Sequence, residues 1–194
     1  MALTPSTMQA LGSLLPEFSL PEVRSGKLVS NRDFQTLKGL LVMFICRHCP
    51  YVKHVEQELA RIGRDYAASP LGILAVSSND AAHYPEDSPE NLAAMADRLD
   101  FKFPFCYDAD QSAARHFGAA CTPDFFVYDG RRRLVYRGQL DASRPGNHEP
   151  VTGKDLRAAL EAVVSGGAVE AEQKPSVGCN IKWKPGSEPP YFRK

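Results

Sequence analysis

Along the chain, apolar and polar positions fall into runs whose periods separate strands from helices. Phe18 to Val23 and Leu28 to Ser30, divided by Arg24-Ser25-Gly26-Lys27, predict two short strands around a glycine-bearing turn, an N-terminal hairpin. Leu40 to Ile45 is an unbroken apolar run of strand length, the pattern of a central strand covered on both faces. After Pro50, which suits a helix's first turn, Val52, Val55, Leu59, Ile62 and Tyr66 recur at steps of three and four and predict an amphipathic helix. Gly72 to Ser77 is a second buried-type strand, so strand, helix and strand make a right-handed parallel crossover. Asp87 or Ser88 opens a helix through Leu99, with Glu90 at the capping-box position for Asp87. Phe103 to Tyr107 reads as a short edge strand, and Asp110 begins a short helix that stops at Gly118. Asp124 to Tyr128 and Arg133 to Gly138, on either side of Asp129-Gly130, form a hairpin. A last amphipathic helix runs from Gly153 to Ser165 with Leu156 and Leu160 inward, and Gly166-Gly167 ends it.

The expected architecture is α/β, a mixed central sheet flanked by helices with an N-terminal hairpin, forming one domain over residues 1–167. Residues 168–194 form a C-terminal tail without a period; Cys179 and the only tryptophan, Trp183, argue that it wraps on the domain. At 194 residues and 43% hydrophobic, the chain has enough apolar side chain for one core. Its 23 basic and 23 acidic residues cancel, which leaves no basic excess to track phosphates and speaks against a nucleic-acid partner. The N-terminus lacks the basic and apolar regions of a signal peptide, and no apolar stretch approaches spanning length. A cytoplasmic protein without a membrane partner is expected. Five cysteines are odd in number and too few for a disulfide scaffold, so they read as individual thiols in a reducing compartment.

Two of these thiols carry the chemistry. Cys46 and Cys49, in Cys46-Arg47-His48-Cys49, fall where the buried strand ends and the helix begins. There, unpaired backbone N–H groups and the positive end of the helix dipole favour a thiolate, and Arg47 and His48, when protonated, add positive charge. Cys46 is therefore expected to face solvent with a depressed pKa and to act as nucleophile on a disulfide, and Cys49, one turn inward, to resolve the mixed disulfide. A zinc site is the first competing reading, because a Cys pair at this spacing is half of many structural sites. No second Cys or His pair follows, so no metal is expected. A haem attachment is excluded because Pro50, not His, follows Cys49.

Thr122-Pro123 stands immediately before an apolar strand, where Thr122 can offer its backbone to a bound peptide or thiol. The intrinsic preference of such a bond is trans. Cys179 reads either as a third redox thiol, if the tail folds over the pair, or as a buried, idle one, which is the commoner fate of free cysteine. Cys121 has the same two readings, and Cys106 belongs to the core. Tyr51 and the polar segment Asp141 to Asn147 are candidates to line the site or, equally, ordinary packing and loop residues. His54 falls on the solvated face of its helix.

The order strand, CxxC at a helix N-terminus, helix, strand, helix, Thr-Pro, hairpin, helix resembles the thioredoxin superfamily over roughly Phe18 to Ser165. Within it, LLPEFSLPEV and LLVMFICRHCPYVKHVEQEL, with AVSSNDAAHYPEDSPENL, ACTPDFFVYD, LVYRGQLDASRPGN and PSVGCNIKWK, resemble the redoxin branch and its peroxiredoxin-like members. The resemblance implies a thioredoxin-like fold, Cys46 and Cys49 as redox pair, and Pro123 as a cis-proline beside them. Ile45 stands where thioredoxins carry Trp, and the strand lacks their buried Asp. Met43 and Gly39 stand where peroxiredoxins carry the Thr that orients peroxide and a Pro, which weighs against peroxidase chemistry at Cys46.

The function expected is thus a thiol–disulfide oxidoreductase without metal or organic cofactor, acting on protein or small-molecule disulfides and recharged by a cellular thiol reductant. Two alternatives stay open. One is a thiol peroxidase in which Cys46 attacks hydroperoxide; the other is a non-catalytic binding protein whose CxxC holds zinc or a redox-sensing disulfide.

Overall fold

The computed structural model describes residues 3–192. Its strands and helices, in chain order, are β1 (Leu3–Pro5), β2 (Ser19–Pro21), β3 (Leu28–Ser30), β4 (Gly39–Phe44), α1 (Pro50–Asp65), β5 (Leu71–Ser77), α2 (Pro89–Arg98), β6 (Phe105–Tyr107), α3 (Ser112–Phe117), β7 (Cys121–Thr122), β8 (Asp124–Asp129), β9 (Leu134–Gly138), α4 (Lys154–Ser165) and β10 (Val177–Asn180), with 3-10 turns at Asn31–Phe34 and Pro85–Asp87.

Five strands make the central sheet in the order β6-β5-β4-β8-β9. β4, β5 and β6 run parallel, whereas β8 and β9 run antiparallel to their neighbours. All six residues of β4 are buried, as an apolar run without alternation requires. Its side chains divide by parity: Leu41 and Met43 face the cluster built on Val52, Leu59 and Ile62 of α1 and Leu156 and Leu160 of α4. Leu40, Val42 and Phe44 face Phe117 of α3, Phe126, and the tail residues Ile181 and Trp183. The sheet is thereby covered on both sides, and the end of β4 is held rigidly where the functional side chains begin.

β2 and β3 form the expected hairpin. Of the two caps expected for α2, Ser88 is the one used, accepting from the Asn91 N–H, while Asp87 turns inward with no exposed surface. β1 and β10 have no counterpart in the sequence pattern. They join β7 in a second sheet of order β1-β10-β7, with Leu3 opposite Cys179, and Cys179 opposite Thr122. The tail is stitched down beyond the strand as well. Ser176 Oγ donates to the Gly138 carbonyl at 2.5 Å, Lys182 N to Asn79 Oδ1 at 2.8 Å, and Lys184 N to Gln111 Oε1 at 2.9 Å.

Asp124, the first residue of β8, has no exposed surface. Burial lifts its carboxyl to about 7, and Oδ1 lacks a hydrogen-bond partner among the described residues. Because the folded-state value lies above the unfolded one, the native state binds the extra proton between about pH 4 and 7. That share of stability is full below about pH 4 and is lost as pH rises through about 7, on the order of a few kcal/mol. Asp124→Asn is expected to narrow the drop in urea midpoint between pH 5 and pH 8 relative to the unsubstituted protein; an unchanged drop would show that Asp124 is not the titrating group.

Candidate active site

The strand-to-helix junction places the two thiols. The Ile45 N–H still pairs with the Val76 carbonyl at 3.0 Å, so Cys46 follows directly on the sheet edge. Cys49 is the cap of α1, with extended backbone and Pro50 behind it, and its carbonyl accepts from the Val52 and Lys53 N–H groups at 3.1 and 3.0 Å. Pro50 has no N–H to leave unpaired, which suits this first turn.

Thr122, brought across by the chain entering β8, touches both sulfurs. Its Oγ1 lies 3.4 Å from Cys46 Sγ in a shared hydrogen bond, and its carbonyl oxygen lies 3.2 Å from Cys49 Sγ, placed to accept from that sulfur whenever it carries its proton. The Thr122-Pro123 bond is cis, as the family resemblance implies and the intrinsic preference does not. Cys46, Cys49, Thr122 and Pro123 thus converge.

Asp87 is the residue that sequence reasoning missed. One carboxylate oxygen accepts from the backbone N–H groups of Arg47 and His48 at 2.8 and 3.1 Å; the other is bonded to His48 Nδ1 at 2.5 Å and accepts from Asn79 Nδ2 at 2.7 Å. Burial works against the Asp87 charge, but the bonds from His48, Asn79 and the Arg47 N–H outweigh it and hold the carboxyl below its usual range. The same bond from Asp87 raises the His48 pKa against the opposing effect of burial. Tyr84 stacks on His48 with ring centroids 5.7 Å apart and planes at 11°. Arg47 contributes its backbone N–H here, and no side-chain contact with the sulfurs is seen among the described residues. Within SSNDAAHYPEDSPENL several polar residues compete, and no spacing marks Asp87 as the one that folds back onto the CxxC loop.

The electrostatics overturn one expectation. Cys46 is only 1% exposed and does not face solvent. Burial is the main cause that raises its pKa well above the free-thiol value, and the hydrogen bond to Cys49 and the Asp87 charge add to the rise. The helix dipole acts one turn later than expected, on the capping residue. Hydrogen bonds from the Cys179 thiol, the Cys46 thiol and the Val52 N–H all lower Cys49, whose sulfur is the best place for a negative charge in the cluster. The physical reason for the miss is that residues far away in sequence stand over Cys46, Thr122 with its hydroxyl 3.4 Å from the sulfur and Asp87 with a carboxylate oxygen within 4.8 Å of it.

Cys46, His48 and Asp87 could each offer one ligand atom to a cation, and these atoms lie within 4.8 Å of one another. Both Asp87 oxygens and His48 Nδ1 are already engaged with each other and with the backbone, so a metal here would have to displace the bonds that shape the CxxC loop. Tyr51, Pro123, Ser143, Arg144, Pro145 and Val177 line one small depression beside the cis-proline. The 141–147 loop therefore does border the site. Cys106 is buried in β6, as expected, and Cys121 is buried with its thiol donating to the Pro123 carbonyl at 3.6 Å. Among the described residues no helix is long and apolar enough to cross a membrane.

Comparison with known proteins bears on the fold and the family. A crystal structure of an uncharacterised conserved protein from Geobacillus kaustophilus superposes with a TM-score of 0.93 at 48% identity, covering 96% of this chain and 98% of that one. The thioredoxin domain of a thiol-disulfide oxidoreductase from Bacteroides vulgatus has a TM-score of 0.61 at 18% identity, over 80% of this chain and 98% of that one, and shows the shared thioredoxin fold. A thiol:disulfide interchange protein DsbE from Allochromatium vinosum is 26% identical over 129 residues, 66% of this chain and 66% of the relative, just under two thirds of that protein's length. The AhpC/TSA family model matches residues 11–137, and with more than half of its 194 residues so matched, the chain belongs to the AhpC/TSA family, in the redoxin branch of the thioredoxin superfamily.

Proposed function

We propose that the protein is a thiol–disulfide oxidoreductase cycling Cys46 and Cys49 between dithiol and disulfide, with Cys46 the attacking sulfur and Cys49 the resolver. The observation that carries this reading is the convergence of the two sulfurs on Thr122 at the end of β4, Cys46 3.4 Å from its hydroxyl and Cys49 3.2 Å from its carbonyl. The raised pKa of Cys46 does not defeat it, because Cys49 is its proton acceptor. The proton crosses the Cys46–Cys49 hydrogen bond as a disulfide approaches, and His48, whose pKa the Asp87 carboxylate raises, favours the charge that develops on the neighbouring Cys46 sulfur. Attack breaks the substrate S–S bond, forms a mixed disulfide at Cys46 and releases one thiol. Cys49 then attacks the Cys46 sulfur, releases the second thiol and leaves the Cys46–Cys49 disulfide, which an external thiol reductant returns to the dithiol. Cys46 precedes the helix, whereas Cys49 caps α1 one turn further in and lies between Cys46 and Cys179, which suits Cys49 to close on a mixed disulfide at Cys46.

The peroxidase alternative asks Cys46 to meet peroxide with oriented donors. Thr122 Oγ1 supplies one, whereas Met43, where peroxiredoxins place a threonine, supplies none. Stopped-flow reaction of the reduced protein is expected to be fast with a disulfide such as oxidised glutathione, and no faster with hydrogen peroxide than that of free cysteine. The reverse order would replace this reading with the peroxidase.

A further inference from the structure

The tail strand β10 lies along Thr122, with Cys179 directly opposite it in the antiparallel register. It takes the edge at which an extended peptide would otherwise pair beside the sulfurs. The approach is close enough that a Cβ on Gly178 would come within 2.0 Å of the Thr122 carbonyl oxygen, so the backbone of the tail rests on the backbone of the site. Cys179 is 2% exposed and lies in the same buried cluster as Cys46 and Cys49; it stands opposite Thr122, whose carbonyl is 3.2 Å from Cys49 Sγ, and its thiol donates toward that sulfur. Cys49 thus touches two thiols, Cys46 from its own loop and Cys179 from the tail.

We propose that Cys179 is the third thiol of the redox centre, and that a disulfide at Cys49 exchanges between Cys46 and Cys179. The inference rests on the redox pair proposed above. In the step, the Cys179 sulfur attacks the Cys49 sulfur of the Cys46–Cys49 disulfide. The Cys49–Cys179 bond forms, the Cys46–Cys49 bond breaks, and the proton lost by Cys179 is taken up by the departing Cys46 sulfur. No electrons enter or leave, since one disulfide and one thiol become one disulfide and one thiol. The bond, about 2.05 Å long, joins two thiols that meet at Thr122, one from the start of α1 and one from β10. The product fastens β10 covalently to the start of α1 and returns Cys46 as a thiol while Cys49 is held oxidised. The tail strand so becomes an internal substrate for the pair it covers.

Disulfide mapping of the full chain tests this. The unsubstituted protein, Cys46→Ser and Cys179→Ser are each reduced, reoxidised with oxidised dithiothreitol, acid-quenched, alkylated and digested with trypsin. Cleavage after Arg47 separates the Cys46 peptide from the Cys49 peptide and makes the two bonds distinguishable. The proposal expects Cys46→Ser to lose two thiols and yield the Cys49–Cys179 cross-link, and Cys179→Ser to yield only the Cys46–Cys49 cross-link. A folded Cys46→Ser protein, by circular dichroism, that keeps Cys49 and Cys179 free would overturn it and leave the Cys46–Cys49 reading intact. Loss of the Cys46–Cys49 cross-link in folded Cys179→Ser, with the Cys49–Cys179 cross-link present in Cys46→Ser, would uphold the tail bond and strike the redox pair instead.

Discussion

Replacing Cys49 with serine is expected to abolish turnover of a disulfide substrate and to leave the attacking sulfur carrying half of that substrate. Cys49 has two tasks in the reaction: it accepts the Cys46 proton through their hydrogen bond, and it closes on the mixed disulfide. Losing the first alone costs about 10²-fold or more, the low end of what a positioned proton acceptor supplies. Losing the second stops the cycle. With oxidised glutathione, Cys49→Ser is therefore expected to gain one glutathione on Cys46, read by intact mass and peptide mapping. Cys46→Ser is expected to lose insulin reduction equally but to acquire no such adduct quickly, because Cys49 is buried under Thr122 and Cys179. Rapid labelling of Cys49 in Cys46→Ser, with no labelling of Cys46 in Cys49→Ser, would reverse the assignment of nucleophile and resolver.

The second large effect is expected at Gly178, far from the CxxC in sequence. A methyl group there cannot be accommodated 2.0 Å from a backbone oxygen, and neither Thr122 nor its neighbours can retreat without moving the cradle of the two sulfurs. Gly178→Ala should lift β10 from β7. An overpacking cost of about 2 kcal/mol, applied to the local opening of the tail, raises the open population about 30-fold. Cys46 and Cys49 are then expected to react with iodoacetamide faster by about that factor. Cys106 serves as the internal control, since β6 keeps it buried whether or not the tail is seated. Faster labelling of Cys46 and Cys49 with Cys106 still protected reports tail release. Equal acceleration at all three would report global unfolding, and unchanged labelling would contradict the tail as the cover of the site.

What could be read from the sequence follows from how local the determinants were. β4 and β5 are continuous apolar runs, α1 has a regular apolar face, and the CxxC sits between them, so strand, junction and helix were all legible from neighbouring residues. β1 and β10 are strands of three and four residues that exist because they pair with each other and with β7, and neither carries a period of its own. Asp87 looked like a helix cap because Glu90 follows at the right distance; tertiary bonds to Arg47, His48 and Asn79 outweigh that local preference and leave capping to Ser88. The acidity of Cys46 was misjudged for the same reason. The helix-terminus argument is local and correct in kind, but it applies to Cys49, the residue that actually caps α1, whereas burial of Cys46 depends on distant segments.

The central claim is that Cys46 and Cys49 join reversibly. Its most direct test is a titration of Cys179→Ser protein across glutathione redox buffers, with acid quenching and thiol mapping at each point. The account predicts that Cys46 and Cys49 disappear together in one two-electron transition and that their peptides are then cross-linked. Independent loss of the two thiols, each as a separate glutathione adduct with no cross-link at any ratio, would contradict it.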